Sequence, residues 1–415
     1  MSGPTATAVP TSTGATAAPP STPVTLLHAD GTTSTTDLGT APAFRRPTAP
    51  LRSRVAYAAA HVIPKPWAEN VPGAPADIDW DATLAFRRHL YSWGLGVADA
   101  MDTAQRNMGL DAAATRELIA RSAADARAVG GSVVAGVNTD HVDDDVIPLD
   151  AVIDAYTRQL HATEDAGAGV VLMASRHLAR AAESAADYER VYGAVIGAAS
   201  APVVLHWLGP AFDPALAGYF GSAGFGPAAD TVLRIIEAAD GRVSGIKMSL
   251  LDADAERSLR SRLPEGVRMF TGDDFNYVEL IDDEGEDTGG EAGAPAHSDA
   301  LLGAFAAIGP AASAALQALD QGDHDRYRSI LTPTQELSRQ IFAGPTFYYK
   351  TGVAFLSWLN GHQDAFAMVG GLHSARSLPH LSEIVRLAAR SGALERPDLA
   401  AERWTSLLRL NGVDA

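Results

Sequence analysis

Lys247 is the residue whose type and setting speak most directly of chemistry. It lies in Arg242-Val-Ser-Gly-Ile-Lys-Met-Ser249, a short apolar run between two amphipathic helical patterns. A lysine set mid-strand among apolar neighbours is stripped of water. Desolvation disfavours the ammonium and lowers its pKa. The resulting free amine attacks ketones and aldehydes to form a Schiff base. The plainer reading is a side chain that reaches solvent past the strand end or pairs with a carboxylate. The choice depends on what the neighbouring elements place beside it.

Those elements alternate. Eight apolar runs read as strands: 55–60, 95–101, 133–137, 170–174, 203–207, 243–248, 267–270 and 301–305. Most are continuously apolar, as parallel strands buried on both faces must be. Helical patterns lie between them. Asp79 is an N-cap candidate for 80–93 and Asp111 for 112–129, and Val152, Tyr156 and Leu160 share one face of a third helix. Eight strand–helix units in about 250 residues predict a TIM (β/α)8 barrel. A doubly wound sheet fits less well, because no glycine-rich phosphate turn follows the first strand. The expected organisation is a loosely attached leader at 1–50, a barrel at 51–320 and a C-terminal helical bundle at 321–415. The acidic, glycine-rich run 282–291 reads as a solvated surface insertion.

TIM barrels carry their chemistry at the C-terminal strand ends. Here those ends supply His61, then Asp102 and Thr103, then Asn138, Asp140 and His141. Ser175 and Arg176 follow strand four, and His206 and Trp207 close strand five. Lys247 and Ser249 close strand six, and Asp273 and Asp274 follow strand seven. Some of these are expected to cap helices instead, Asp274 before Phe275 above all.

The run Ser244-Gly245-Ile246-Lys247, followed by Thr271-Gly272-Asp273-Asp274, resembles the dihydrodipicolinate synthase and N-acetylneuraminate lyase superfamily, with its Gly-x-Lys strand and Gly-x-Asp on the next. The similarity extends loosely over the chain after residue 50. It is closer to a branch known only as dihydrodipicolinate synthase family, through Asp273-Asp274-Phe275-Asn276-Tyr277 and Phe366-Ala-Met-Val-Gly-Gly-Leu372. The resemblance implies a Schiff-base lysine at Lys247. It also implies a carboxylate-binding Thr-Thr turn after strand two and a tyrosine relay on strands four and five. This chain departs at all three. Strand two ends Met101-Asp102-Thr103-Ala104-Gln105, strand four Ala174-Ser175-Arg176, and strand five places His206 where the tyrosine would be.

The rebuilt apparatus is chemically coherent. An imidazole titrates near neutrality and can both accept and donate a proton. His206 is therefore read as proton carrier beside Lys247, with Asp273 as a further polar participant. Arg176 could hold a substrate carboxylate. Trp207 could stack on a sugar, and Asp102, Thr103, Ser249, Asp274 and His61 could contact substrate. The reading is a metal-independent lyase, aldolase or dehydratase acting on a keto acid or sugar-derived carbonyl compound, without cofactor, and not a true dihydrodipicolinate synthase. Two rivals remain: a metal-dependent barrel hydrolase or isomerase, and a carbohydrate-binding barrel without activity. No His-x-His pair supports the metal reading.

Composition narrows the partners. The chain has 415 residues, no cysteine and a net charge of -18. Thiolate chemistry is excluded, and nucleic acid and anionic membrane are poor partners. The first 25 residues lack the basic and apolar regions of a signal peptide, so a cytoplasmic location is expected. No apolar run spans a membrane. A homo-oligomer, dimer or tetramer, is expected.

Overall fold

In the computed structural model, which describes residues 22–283 and 293–414, a two-stranded hairpin precedes a closed barrel of eight parallel strands. The hairpin is β1 (Pro23–Leu27) and β2 (Thr33–Asp37). The barrel strands are β3 (Ala56–Ala59), β4 (Gly96–Asp99), β5 (Val133–Val137), β6 (Gly169–Leu172), β7 (Val203–Leu208), β8 (Val243–Ser249), β9 (Arg268–Thr271) and β10 (Asp299–Leu302). They pair in chain order, and β10 closes on β3. Each of the eight apolar runs contains or overlaps a strand. The last is displaced: Ala304–Ala307 is already helical, so β10 begins at Asp299.

Side chains alternate between the barrel interior and the helical shell. Ala59, Ala98, Val134, Val171, Phe270 and Leu301 pack together inside, with Val204 against them. Along β7 that parity sends His206 inward and Trp207 outward. Outside, Trp207 meets Phe220 edge-on and stacks on Phe225 at 5.7 Å, between barrel and helices.

Helix starts follow the capping chemistry. Asp79 accepts from the Ala82 amide and opens Trp80–Ser92; Asp111 accepts from Ala114 and opens Ala112–Val129. The helix Trp80–Ser92 is locked to β4 by a wholly buried ion pair. Arg87 Nε and Nη2 donate to the two Asp99 carboxylate oxygens at 2.8 and 2.7 Å, and Nη1 donates to the His61 and Thr83 carbonyls.

Helices His324–Ile341, Tyr349–Leu359, Leu378–Ser391 and Pro397–Leu410 complete the chain. They share one apolar core with the β3, β4 and β10 side of the barrel. Residues 284–291 of the acidic run lie outside the described residues. Its start is not a solvated insertion. Asp282 is 3% exposed and hydrogen-bonds His324, because it ends a helix packed under His324–Ile341.

Residues 1–21 also lie outside the described residues, but the expectation of a loose leader is corrected for 22–50. Val24, Leu26 and Leu38 are buried in the shared core. The Leu27 amide donates to Ser382 Oγ at 2.8 Å, and Trp404 Nε1 donates to the Thr25 carbonyl at 2.7 Å. The low-complexity composition conceals the alternation in Val24-Thr25-Leu26. Burying an aliphatic side chain contributes about 1.5–3 kcal/mol. A chain starting at Leu51 is therefore expected to melt more than about 5 °C below the full chain in calorimetry; equal melting temperatures would show the hairpin to be peripheral.

Candidate active site

Lys247 sits inside the barrel on β8, beside His206 on β7 in register. It is 6% exposed. Room for its stem comes from Gly272, just past the end of the next strand, where a Cβ would lie 2.6 Å from Lys247 Cε and 2.2 Å from Ser249 Oγ. Any side chain at 272 would displace the lysine. Burial pushes the Lys247 ammonium below its ordinary pKa, and the carboxylates of Asp102 and Asp274 oppose that shift. The chain has three lysines: Lys65, Lys247 and Lys350. Lys65 pairs with Asp77 at the surface. The other two are buried.

His206 is fully buried. Its Nε2 lies 3.1 Å from Ser249 Oγ, and Nδ1 has no partner among the described residues. Burial, with Lys247 nearby, holds its pKa well below the usual imidazole value. It is a neutral base next to an amine.

The two aspartates after β9 divide the work differently from expectation. Asp273 is the turn cap: its carboxylate accepts from the Phe275 and Asn276 amides at 2.9 and 3.1 Å and from Asn276 Nδ2 at 2.9 Å. Its pKa is raised by burial despite these bonds. Asp274, read as the cap, instead turns inward and accepts from the Ala304 amide at 2.8 Å. Burial pushes its pKa up to about 8 against the pull of Lys247. It is an acid held close to neutrality.

Asp102 and Thr103 form a short 3-10 turn after β4, at the mouth. Tyr349, first residue of the helix Tyr349–Leu359, donates to Asp102 Oδ2 at 3.0 Å and makes a short hydrogen bond with Thr103 Oγ1. Lys350 Nζ lies 4.0 Å from Asp102 Oδ2 and 4.8 Å above the Tyr349 ring. Burial lowers its pKa, and Asp102 opposes that. Neither Tyr349 nor Lys350 emerges as a site residue from the strand ends, because both come from the C-terminal helices. The only trace is the run Tyr348-Tyr349-Lys350.

The turn is held in a costly conformation. Ala100, Gln105 and Asn107 have φ of 47°, 59° and 62°, a region that non-glycine residues occupy at about 1 kcal/mol or more. Asp99 accepts from the Ala100 amide at 2.8 Å. Arg106 pairs with Asp140 and donates to the carbonyls of Ala100 and Gly136. Asp140 is thus an anchor, with its pKa near 2: burial opposes the shift, and Arg106 wins.

A cavity of about 230 Å3 opens at this mouth, lined by Asp102, Asn138, Met173, Arg176, Phe212 and Lys350 among others, but not by Lys247. Arg176 stands at its rim, more than half exposed, and pairs with Asp213 at 2.6 Å. The structure does not bring Trp207 or His61 to the site. Trp207 faces outward, as its parity requires. His61 packs edge-on to Phe86 and bonds Gln363 at 2.9 Å; burial lowers its pKa to about 4.

An eight-stranded parallel barrel followed by C-terminal helices has clear structural counterparts. Dihydrodipicolinate synthase from Aquifex aeolicus superposes with a TM-score of 0.58 at 12% identity, covering 87% of this chain and 98% of that one. The 4-hydroxy-tetrahydrodipicolinate synthase from Methylacidiphilum fumariolicum SolV gives 0.59 at 17% identity, with 86% and 98% covered. The synthase from Bacteroides thetaiotaomicron gives 0.57 at 14%, with 79% and 98% covered. The likeness to these synthases is one of fold. The chain belongs to the family described as "Protein of unknown function (DUF993)", which matches residues 24–413. A search of curated protein sequences returns no match.

Behind Asp273 lies a second buried acid. Glu256 is 1% exposed; its Oε1 accepts from Ser298 Oγ at 2.7 Å, and Oε2 has no partner among the described residues. Burial pushes its pKa from 4.5 up to about 8. A carboxyl group raised on folding favours the native state while protonated. That stability is complete below the ordinary value of 4.5 and is lost as pH rises to about 8, levelling off above. Glu256→Gln should remove the dependence. Melting temperatures from pH 5 to 9 should show wild type losing ground to the variant up to about pH 8; a constant gap would place an ionised Glu256 in the native state.

Proposed function

We propose that the protein is a class I lyase or aldolase that uses Lys247 as Schiff-base nucleophile on a keto acid or sugar-derived carbonyl substrate. The observation that carries this reading is the placement of a desolvated lysine inside the barrel, one of three in the chain, beside a neutral histidine and a near-neutral carboxylic acid. Lysine is the residue whose amine becomes a nucleophile when buried, which arginine cannot do.

In this mechanism the Lys247 amine attacks the substrate carbonyl carbon. The carbinolamine oxygen takes a proton from Asp274 and leaves as water, forming the iminium. Cleavage of the bond between the substrate's α and β carbons sends its electron pair into the iminium and leaves an enamine, while the hydroxyl-bearing β carbon departs as a carbonyl compound. Proton removal that starts cleavage falls to His206. Tyr349, bonded to Thr103 and Asp102, moves protons at the mouth. Asp273 acts by holding the turn that aims Asp274, a positioning role. Reprotonation of the enamine and addition of water release product and free Lys247.

A second reading makes Lys350 the nucleophile, because Lys350 lines the cavity and Lys247 does not. Incubation with a panel of 2-keto acids and keto sugars, reduction with borohydride and peptide mapping separates the two. The adduct is expected on Lys247, and Lys247→Ala should lose about 10³-fold or more in kcat/KM. An adduct on Lys350 with full activity in Lys247→Ala would reverse the assignment.

The substrate pair of dihydrodipicolinate synthesis is not expected to turn over. The threonine pair is reduced to Thr103, His206 replaces the family tyrosine, and the run after it, Trp207-Leu208-Gly209-Pro210-Ala211-Phe212, carries no arginine. Each lost charge-assisted contact costs on the order of 2 kcal/mol. With pyruvate and aspartate semialdehyde, turnover should fall well below about 10 per second; reaching that value would refute this part of the reading.

A further inference from the structure

Three segments far apart in the chain meet beside the barrel in a cluster the proposed chemistry does not use. His89 lies in the last turn of the helix Trp80–Ser92, His362 follows the helix Tyr349–Leu359, and Glu395 precedes the helix Pro397–Leu410. Their ligating atoms all lie within 4.8 Å of one another, the one such group of three among the described residues. His362 Nε2 is 2.8 Å and His89 Nε2 3.4 Å from the same oxygen, Glu395 Oε1.

We propose that His89, His362 and Glu395 form a binding site for a divalent transition-metal ion, best matched by zinc, which staples the first barrel helix to the C-terminal helices. Zinc takes imidazole nitrogens and carboxylate oxygens at about 2.0–2.2 Å, which sets tetrahedral donor–donor spacings near 3.4 Å. The His89–Glu395 separation already has that value. His362 needs to withdraw from its hydrogen bond by roughly half an ångström to reach it. Two imidazoles and one carboxylate are a donor set that zinc, copper and nickel accept, while magnesium and calcium prefer all-oxygen sites.

The surroundings pre-orient the ligands. The His89 and His362 rings lie 4.3 Å apart, flanked by buried Phe86, whose ring stacks at 6.2 Å from His89 and tilts at 5.3 Å from His362. The Trp93 ring meets His89 edge-on at 6.4 Å. The Glu395 amide donates to Asn360 Oδ1 at 2.9 Å, and Asn360 Nδ2 donates to the Ala393 carbonyl at 2.9 Å, so the backbone carrying the carboxylate is tied down. Side-chain exposures of 15%, 17% and 25% leave an entry path and a fourth position for water. None of the three lines the cavity at the barrel mouth. The site is separate from the proposed chemistry.

The test uses the full chain, freed of metal by chelation and then titrated with zinc chloride in a calorimeter. One zinc per chain is expected, with a Kd of about 1 µM or tighter. Cobalt(II) should give the visible absorption of a four-coordinate ion. His89→Gln, His362→Ala and Glu395→Gln, checked for folding by circular dichroism, should each weaken zinc binding by about tenfold or more. Saturating zinc should also raise the melting temperature of the parent and not of the variants. No stoichiometric binding to the parent, or equal binding by folded variants, would overturn the site. Borohydride trapping at Lys247 reads the proposed reaction independently of either result.

Discussion

The structure is organised around one unfavourable act, the burial of an amine inside a closed barrel. An ammonium removed from water is disfavoured by several kcal/mol unless opposite charge compensates it. Lys247 has two compensating groups, Asp102 at the end of β4 and Asp274 after β9. Both follow other strands, so the state of the amine depends on the barrel being closed. Asp274 is in turn so buried that it stays close to neutrality, with a pKa of about 8. Amine and acid therefore share a balance that a small change in either carboxylate would tip.

The rest of the molecule holds those carboxylates in place. The bidentate Arg87–Asp99 pair fixes the end of β4. Arg106, through Asp140 and two carbonyls, fixes the left-handed turn beyond it. The C-terminal helix then closes the mouth, with Tyr349 on Asp102 and Thr103 and its ring stacked 4.2 Å from Phe342. That helix packs on others that hold the N-terminal hairpin. In this chain, the hairpin and bundle act as the support for one wall of the site.

What could be read from the sequence follows from which contacts are local. Parallel barrel strands are buried on both faces, so their apolar runs are plain, and Asp79 and Asp111 announce their helices by capping alone. Lys247 stood out because a charge within such a run needs a reason. Trp207 was legible in principle: if His206 faces in, its neighbour faces out. Asp273 and Asp274 are adjacent, and only the packed turn decides which of them caps and which turns inward. Tyr349, Lys350 and the cluster of His89, His362 and Glu395 were beyond reach, since nothing local ties the C-terminal helices to Asp102 or to the first barrel helix. The hairpin was hidden by composition, because Ser, Thr and Pro dominate the segment that carries Val24 and Leu26.

The central claim is that Lys247 is an amine made available by burial. With three lysines in the chain, carbon-13 labelling of lysine yields few enough side-chain signals to follow one by one through a pH titration. Lys247 is assigned by the signal lost in Lys247→Arg. Its titration should fall below the ordinary value of 10.5, and Asp102→Asn should lower it further by removing a compensating charge. A Lys247 that titrates at or above 10.5 in the native protein would contradict the account.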